Sequence, residues 1–389
     1  MNTLTTPHRI LVIDALRGFA ILSIMLLHNI EHFDFYYFPE DLPAGIKQLD
    51  SIIWGTLFFL FAGKSYAMFA LLFGFTYHIQ STNQLKKGKS FDLRFVWRLL
   101  LLFGFGMINS AFFEGDILTL YAAVGLLIIP IAKLPEKFIW VIIGVMFLMP
   151  IEWFRMWQAI QQPQDQLADP ASWTLFAKLP EYLAEGSFWQ AAYGNLTNGK
   201  WAVILWNWEN GRFFHMLALF LAGILAGRKQ LFVWNPVTQK WWKRALVYSL
   251  ILFAILFAIQ LQLKNWISNA ALLRPLETVE TAWSNISFMV FLIASFMLLF
   301  HQTKARMLLD VFTPIGKMSL SNYILQSMLG AFIYYGFGLG LYRYTGATYG
   351  FLIGLLLAVL TGVFCHYWMS RHRHGPLEGI WHQLTWWWK

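Results

Sequence analysis

Five side chains in and just after the first hydrophobic run could perform acid–base chemistry from one face of a helix: Asp14, Arg17, His28, Glu31 and His32. At 100° per residue, all of them fall within about 60° of His28. Imidazole is the side chain that most often serves as a general base near neutral pH. Ionisable groups at membrane depth cost roughly 2.5–3.5 kcal/mol each, so they usually face a bundle interior or a wet cavity. The pattern therefore predicts a polar corridor along this helix.

Each part of this face also has a plainer interpretation. Asp14 and Arg17 are three residues apart and would form an ion pair that only fixes the register of the helix. His28, close to the helix end, would then be an interfacial or hydrogen-bonded residue. At 1.5 Å per residue, His28 and Arg17 are roughly 16 Å apart along the helix. They cannot share one small site, but they could bracket one long substrate.

The composition is that of an integral membrane protein. Of the 389 residues, 58% are hydrophobic and only 13% are charged, whereas soluble proteins have about 25% charged residues. The single cysteine, Cys365, excludes a disulfide framework and a cysteine metal cluster, and no metal site is predicted. The net charge of +9 comes as short basic clusters between apolar runs, a topogenic pattern that argues against nucleic-acid binding.

Apolar runs of about 17–25 residues predict an all-α fold with about ten membrane-spanning helices in one polytopic domain over residues 1–389. With a cytoplasmic N-terminus, 19 of the 29 Lys and Arg residues lie in inside segments and 8 in outside segments. The positive-inside rule therefore predicts that both termini are cytoplasmic. The predicted spans are 10–31, 52–80, 94–113, 117–133, 138–157, 213–228, 244–263, 283–302, 318–340 and 347–369.

Two of these spans carry features of their own. The second is expected to break at Gly63-Lys64-Ser65, with its first part lying obliquely at the outer face, and Lys64 either snorkels to the interface or faces a pocket. The turn Glu114-Gly115-Asp116 joins the third and fourth spans and holds two carboxylates. It is either a solvated acidic turn or a cap, because Asp116 can accept the free amides of the following helix.

The longest polar segment, residues 158–212, is predicted to be extracytoplasmic and is rich in tryptophan. These tryptophans either anchor the protein at the headgroup level or form an aromatic platform for a sugar or lipid. At the other end of the chain, residues 371–389 predict a basic, aromatic helix on the inner leaflet that contacts membrane lipids or a phosphorylated cofactor. Between them, polar residues in Pro314 to Ser327 predict hydrogen bonds that join helices.

Several of these pieces resemble the YeiB-like family of bacterial membrane proteins, and they follow the family's order over nearly the whole chain. The resemblance implies a multi-pass protein of the bacterial cytoplasmic (inner) membrane. The matching pieces are Asp14-Ala15-Leu16-Arg17-Gly18, Gly63-Lys64 to Leu72-Phe73-Gly74, Gly115-Asp116-Ile117-Leu118 with Tyr121-Ala122, Leu221-Ala222-Gly223 to Gly227-Arg228, Pro314 to Gln326, and Gly375-Pro376-Leu377-Glu378 to Trp381.

That family is similar to a branch of the transmembrane acyltransferase superfamily, whose members pass an acyl group from cytoplasmic acyl coenzyme A to an acceptor across the membrane. In the O-acyltransferase pattern, an arginine in the first helix precedes the catalytic histidine by eleven residues, as Arg17 precedes His28. The resemblance therefore implies acyl transfer to a glycan or lipid acceptor, with acyl coenzyme A as co-substrate and no covalently bound cofactor.

In this interpretation His28 is the general base, and Asp116 or Glu31 orients its ring. Arg94, Arg98 and Arg371 are expected to hold the coenzyme A phosphates. A transporter or flippase for a lipid-linked or small anionic substrate would use the same corridor without bond chemistry, and a membrane scaffold would need neither. The residues predicted to bind substrate are Asp14, Arg17, Lys64, Arg212, Asn322 and Gln326.

Overall fold

A computed structural model describes residues 10–161 and 169–387 of the chain. The predicted all-α fold is confirmed, since the described residues form twenty α-helices, a π-helical turn (Asn195–Gly199) and a 3-10 turn (Leu341–Arg343), without a strand. The α-helices are α1 Leu11–Ile30, α2 Ala44–Phe61, α3 Lys64–Leu85, α4 Asp92–Ser110, α5 Leu118–Gly125, α6 Ile128–Ile131, α7 Glu136–Leu148, α8 Pro150–Gln161, α9 Ala171–Phe176, α10 Leu179–Leu183, α11 Phe188–Gly194, α12 Lys200–Glu209, α13 Arg212–Arg228, α14 Pro236–Trp266, α15 Ala270–Phe300, α16 Thr303–Leu309, α17 Phe312–Lys317, α18 Ser319–Tyr334, α19 Ala347–Arg371 and α20 Pro376–Thr385.

Seven helices or helix pairs in the described part of the chain are long and apolar enough to cross a membrane, or eight if the bent pair of residues 188–209 and 212–228 counts as one span. Every predicted span contains a helix, but the main helices of three spans, 117–133, 213–228 and 318–340, have only 8, 17 and 16 residues. The number ten and the cytoplasmic termini therefore stay predictions. The end of the molecule at which α1 ends is called the His28 end, and the opposite end is called the Asp14 end.

The second predicted span is broken at the expected place. Gly63 adopts a left-handed conformation (φ 75°) between α2 and α3, which glycine reaches at little cost because it has no Cβ. Helix α2 buries only Leu57 fully, so it lies on the surface of the bundle. A second break, at the left-handed Met149 before Pro150, divides the predicted span 138–157 into α7 and α8 and was not predicted.

The bundle interior depends on the close parallel packing of α3 and α13. A Cβ atom at Gly74 of α3 would overlap the carbonyl oxygen of Phe220, and one at Gly223 of α13 would overlap that of Leu71. The residue numbers of the contacts rise together along both helices: Gly74 of α3 meets Phe220 of α13, and His78 of α3 meets Gly227 of α13. The two helices therefore run in the same direction and begin side by side at the His28 end.

Helix α1 is held by a second glycine contact, with α17. A Cβ atom at Gly18 would overlap the carbonyl oxygen of Phe312, and a Cβ at Gly316 would overlap that of Asp14. Two sequence motifs, the Asp14 to Gly18 piece and the Pro314 to Gln326 piece, thus meet at one helix crossing. Their glycines serve backbone packing.

The glycine contact between α3 and α13 makes a stability prediction. Gly74→Ala should lower the Tm of the purified protein, because the new methyl group must push the Phe220 backbone away and such overpacking costs about 1–3 kcal/mol. Gly104→Ala is the matched control, since a Cβ there meets nothing within 4 Å and alanine favours a helix over glycine by about 1 kcal/mol. Thermal unfolding in detergent measures both, and equal Tm values for the two variants would contradict the packing role.

Candidate functional site

The catalytic histidine proposed from the sequence lies half-buried at the end of α1. His28 Nδ1 is 3.4 Å from Glu31 Oε2, one helical turn further on. The ring is in edge contact with Phe113, at a centroid distance of 4.7 Å, and is also close to Phe33. Nδ1 is buried and forms no hydrogen bond with a described residue, so its approach to Glu31 is an ion pair only when the ring is protonated and does not fix the tautomer of the neutral ring.

The chain reverses immediately after α1 and brings a further carboxylate to this histidine. His32, Phe33 and Asp34 all have φ between 51° and 60°, a left-handed conformation that costs an ordinary residue roughly 1–2 kcal/mol. The fully buried Phe33 ring and its contact with Gly330 hold this turn in place. As a result, Asp34 returns to the side of His28 and Glu31.

The resulting cluster could hold a proton or a cation. One ligand atom each from His28, Glu31 and Asp34 lies within 4.8 Å of the others, a spacing that a single divalent cation can bridge. Burial, reinforced by the charge of Glu31, raises the pKa of Asp34 to about 7. The sequence predicts no metal here, and that expectation stays a prediction.

His32, the fifth member of the predicted polar face, has a structural role. Its Nε2 is 3.0 Å from Thr345 Oγ1 and its Nδ1 is 3.2 Å from the Tyr37 carbonyl oxygen. The ring stacks on Tyr334, and burial lowers its pKa to about 4. His32 is therefore neutral at physiological pH and ties the turn after α1 to the segment before α19.

The two carboxylates of the acidic turn between α4 and α5 lie in different environments. Asp116 Oδ2 accepts from the Thr119 amide at 3.0 Å, which confirms the predicted cap, and it pairs with Lys200 Nζ at 3.3 Å. Glu114 is fully buried with no hydrogen-bond partner for either carboxylate oxygen. Burial, together with the nearby Asp34, raises its pKa well above the usual range. Of the two carboxylates proposed to orient His28, the structure places Glu31 at the ring, whereas Asp116 is engaged elsewhere.

Two cavities share Arg212 as a lining residue, and Asp34 and Glu31 of the cluster act on this arginine electrostatically. The described lining residues of the two cavities do not include His28, Glu31 or Asp34. The larger, of about 980 Å³, is lined by aromatic and charged residues that include Tyr66, Trp206 and Arg155. The smaller, of about 340 Å³, is lined by Lys64, Arg212 and several phenylalanines. Lys64 therefore faces a pocket, one of its two predicted placements. Of the tryptophans in segment 158–212, Trp173 and Trp206 line the larger cavity, whereas Trp189, Trp201 and Trp208 are exposed.

The remaining predicted substrate residues lie elsewhere. Arg17 pairs with Asp14 at 3.1 Å and donates to Thr76, so the first helix carries an ion pair towards the Asp14 end. Asn322 donates to the Ile315 carbonyl at 3.0 Å and contacts Cys365 at 3.2 Å, which confirms that this motif joins helices. Gln326 is buried with both amide atoms unpartnered.

The arginines predicted to hold coenzyme A lie at the Asp14 end. The Arg94 and Arg98 guanidinium groups stack on Trp386 and Trp381 at 4.3 and 4.1 Å and dock α20 against α4. Arg371 stacks on Tyr367 at 4.2 Å at the end of α19. Residues 162–168 of the tryptophan-rich segment and 388–389 of the predicted tail lie outside the described residues.

Comparison with known proteins supports the resemblance to the YeiB-like family and gives no function. A family model described as "Protein of unknown function (DUF418)" matches residues 226–388. "Uncharacterized protein YxaH" of Bacillus subtilis is 26% identical over 98% of this chain and 95% of that protein. "Uncharacterized protein YeiB" of Escherichia coli is 27% identical over 97% of this chain and 96% of that protein. No solved structure matches the chain.

The raised pKa of Asp34 sets the sign of a pH effect on stability. The folded state keeps this proton up to about pH 7, whereas an unfolded aspartate loses it near pH 4. Folding therefore binds a proton in that interval, and the free energy of unfolding falls as the pH rises through it. We expect the Tm of the wild type to fall more steeply between about pH 4 and 7 than that of Asp34→Asn. The exposed Asp41→Asn variant is the control, and equal slopes for wild type and Asp34→Asn would contradict the assignment.

Proposed function

We propose that this chain, which is similar over nearly its whole length to YeiB-like proteins of unknown function, is an acyltransferase. It would move an acyl group from cytoplasmic acyl coenzyme A to a glycan or lipid acceptor bound at the His28 end. The observation that carries the proposal is the approach of His28 Nδ1 to Glu31 Oε2 at 3.4 Å, in a cluster whose carboxylates act electrostatically on Arg212, a residue that lines two ligand-sized cavities. An imidazole oriented by a carboxylate is the standard arrangement for activating a hydroxyl nucleophile.

In the proposed reaction, His28 accepts the proton of the acceptor hydroxyl while the hydroxyl oxygen attacks the thioester carbonyl. The new carbon–oxygen bond forms, the carbon–sulfur bond breaks, and the imidazolium returns the proton to the departing coenzyme A sulfur. Glu31 holds the ring and stabilises the imidazolium. Every atom and proton of the exchange is supplied by the donor, the acceptor and one histidine.

The donor has to approach from the other side of the protein. Arg94, Arg98 and Arg371 form a basic group at the Asp14 end, and Arg17 lies between them and His28 along α1. A coenzyme A whose phosphates lie at that end would extend its pantetheine arm along α1 towards His28. With this polarity, the His28 end is extracytoplasmic and the protein resides in the cytoplasmic membrane of a bacterium, as the positive-inside pattern predicts.

A second candidate is transport of a lipid-linked or small anionic substrate. It is favoured by the larger cavity, whose volume of about 980 Å³ lies at the top of the range of small-molecule sites. Arginine and tryptophan side chains suit an anionic solute, and the described residues that line this cavity do not include His28. Transport would leave the imidazole without a chemical role.

The first test removes the imidazole. We expect His28→Ala and His28→Asn to lower acyl transfer by at least about 10²-fold, because each removes the proton acceptor, while the Tm changes little. Glu31→Gln should lower transfer by about tenfold and move the pH profile, since it leaves the base present but poorly oriented. Transfer is measured with purified protein, radiolabelled acetyl coenzyme A and membrane lipid or glycan extract.

The control variant is His366→Ala, which removes an exposed imidazole of α19 and should retain wild-type transfer. A chelator arm separates proton transfer from metal chemistry, because activity that EDTA abolishes would move the assignment to a metal at His28, Glu31 and Asp34. Full transfer by both His28 variants would refute the proposed mechanism. Substrate counterflow in proteoliposomes, without acyl transfer in any condition, would favour the transporter.

A further inference from the structure

Two parallel helices begin side by side, and each begins with a basic residue directly after a left-handed glycine. Helix α3 begins with Lys64 after left-handed Gly63, and α13 begins with Arg212 after left-handed Gly211. The glycine contacts between these helices set their N-termini next to each other. Lys64 and Arg212 consequently line the same cavity.

This arrangement is electrostatically unfavourable as it stands. A helix N-terminus carries a partial positive charge and four amide groups without intrahelical acceptors. Neither α3 nor α13 has a side-chain cap at its N-terminus. Placing a cation at the first position of each helix adds repulsion instead of compensation. An anion between the two helix ends would resolve all of these conflicts together.

The two cations are not neutralised by an ion pair within the described part of the chain. Lys64 is only 7% exposed, and its ammonium contacts the rings of Phe59 and Phe288 at 5.9 and 5.8 Å. The guanidinium of Arg212 stacks on Tyr66 and Trp206 at 4.6 and 4.1 Å. Neither side chain forms a hydrogen bond or salt bridge with another described residue, so their donors remain available to a ligand.

Carboxylates nearby offset this charge only in part. Asp34 and Glu31 act on Arg212 through the electrostatic field, without a salt bridge to it. Lys64 has no salt bridge with a described carboxylate, and it lines the small cavity together with phenylalanine, amide and hydroxyl side chains. The cationic pair therefore has one member, Arg212, in the field of the His28 cluster and another, Lys64, that lines the small cavity without a partner carboxylate.

The shape of the small cavity indicates what kind of anion it would take. Besides the two cations, its lining has a phenylalanine part and a polar part: Phe58 and Phe59 of α2 with Phe253 and Phe257 of α14, and Gln260, Thr281, Ser284 and Asn285 of α14 and α15. Phe59 is 40% exposed on the outside of the bundle, where apolar residues of α14 also face outward. The cavity thus joins a cationic, polar head site to phenylalanines that face the lipid side of the bundle.

We propose that this cavity binds a phosphorylated lipid from the surrounding membrane. Its phosphate would lie between the N-termini of α3 and α13, held by Lys64 and Arg212, and its acyl or prenyl chain would lie along the phenylalanines. The idea that this lipid is the acceptor for acyl transfer rests on the proposed function. The idea that the lipid binds here does not, because the charge and shape of the cavity can recognise it without any reaction.

Binding can be measured on the purified full-length protein with defined probes. Dodecyl phosphate carries both the anion and the chain, inorganic phosphate carries the anion alone, and dodecanol carries the chain alone. We expect dodecyl phosphate to raise the Tm in a concentration-dependent manner, with at least tenfold tighter apparent binding than either part. Equal binding of inorganic phosphate would assign the site to free phosphate and overturn the lipid assignment.

The variants separate a ligand site from a structural role. Lys64→Gln should raise the Tm of the lipid-free protein, because it removes a buried cation from a positive helix end, and it should abolish the shift produced by dodecyl phosphate. Arg212→Gln should weaken that shift at least tenfold. Arg155→Gln is the matched control, because Arg155 lines only the larger cavity and pairs with Glu152. It should keep the full shift.

Two outcomes with the variants also overturn the inference. One is a Lys64→Gln variant that melts lower than wild type and still responds to dodecyl phosphate; the other is loss of the response in Arg155→Gln to the same extent as in Lys64→Gln. The assay contains no acyl donor, so it is separate from catalysis. If the lipid binds but no acyl transfer is found, this inference holds and the proposed function fails. If acyl transfer to a soluble acceptor occurs without lipid binding, the proposed function holds and this inference fails.

Discussion

The parallel contact between α3 and α13 is the constraint on which the rest of the site depends. Because Gly74 and Gly223 allow the two backbones to touch, the two helices start at the same level and present Lys64 and Arg212 to one cavity. Larger residues would separate the helices and pull the two cations apart. The packing of the bundle thereby generates a concentrated positive field from two helix ends and two side chains.

A second constraint supplies the opposite charge. The left-handed turn after α1 returns Asp34 to His28 and Glu31, and Arg212 lies within the field of these carboxylates. A substrate held by its anion at the helix ends would therefore meet an imidazole–carboxylate pair at the edge of the same region. This polarity suits a lipid headgroup that carries both a phosphate and a reactive hydroxyl.

Local rules predicted the features that depend on neighbouring residues. The helical class, the break at Gly63, the cap by Asp116 and the helix-joining role of Asn322 all follow from hydrophobic length, glycine conformation and side-chain hydrogen bonding. The role of Asp34 was not predicted from the sequence, because it depends on three consecutive left-handed residues, two of them bulky, and only tertiary packing can enforce that conformation. The sequence does contain a glycine followed by a basic residue twice, at Gly63-Lys64 and Gly211-Arg212, but only the parallel packing of α3 and α13 reveals that the two pairs lie next to each other. Asp116 was one of two carboxylates proposed to orient His28, whereas the structure pairs it with Lys200.

The most direct test of the account is a cryo-electron microscopy map of the protein purified in its native lipid. We expect a compact density between the N-termini of α3 and α13, in contact with Lys64 and Arg212, that continues as an elongated density along Phe59 and Phe257. The same density should vanish in the Lys64→Gln protein prepared identically. A wild-type map in which a carboxylate of the chain itself occupies the space between the two cations, with no ligand density, would contradict the central claim.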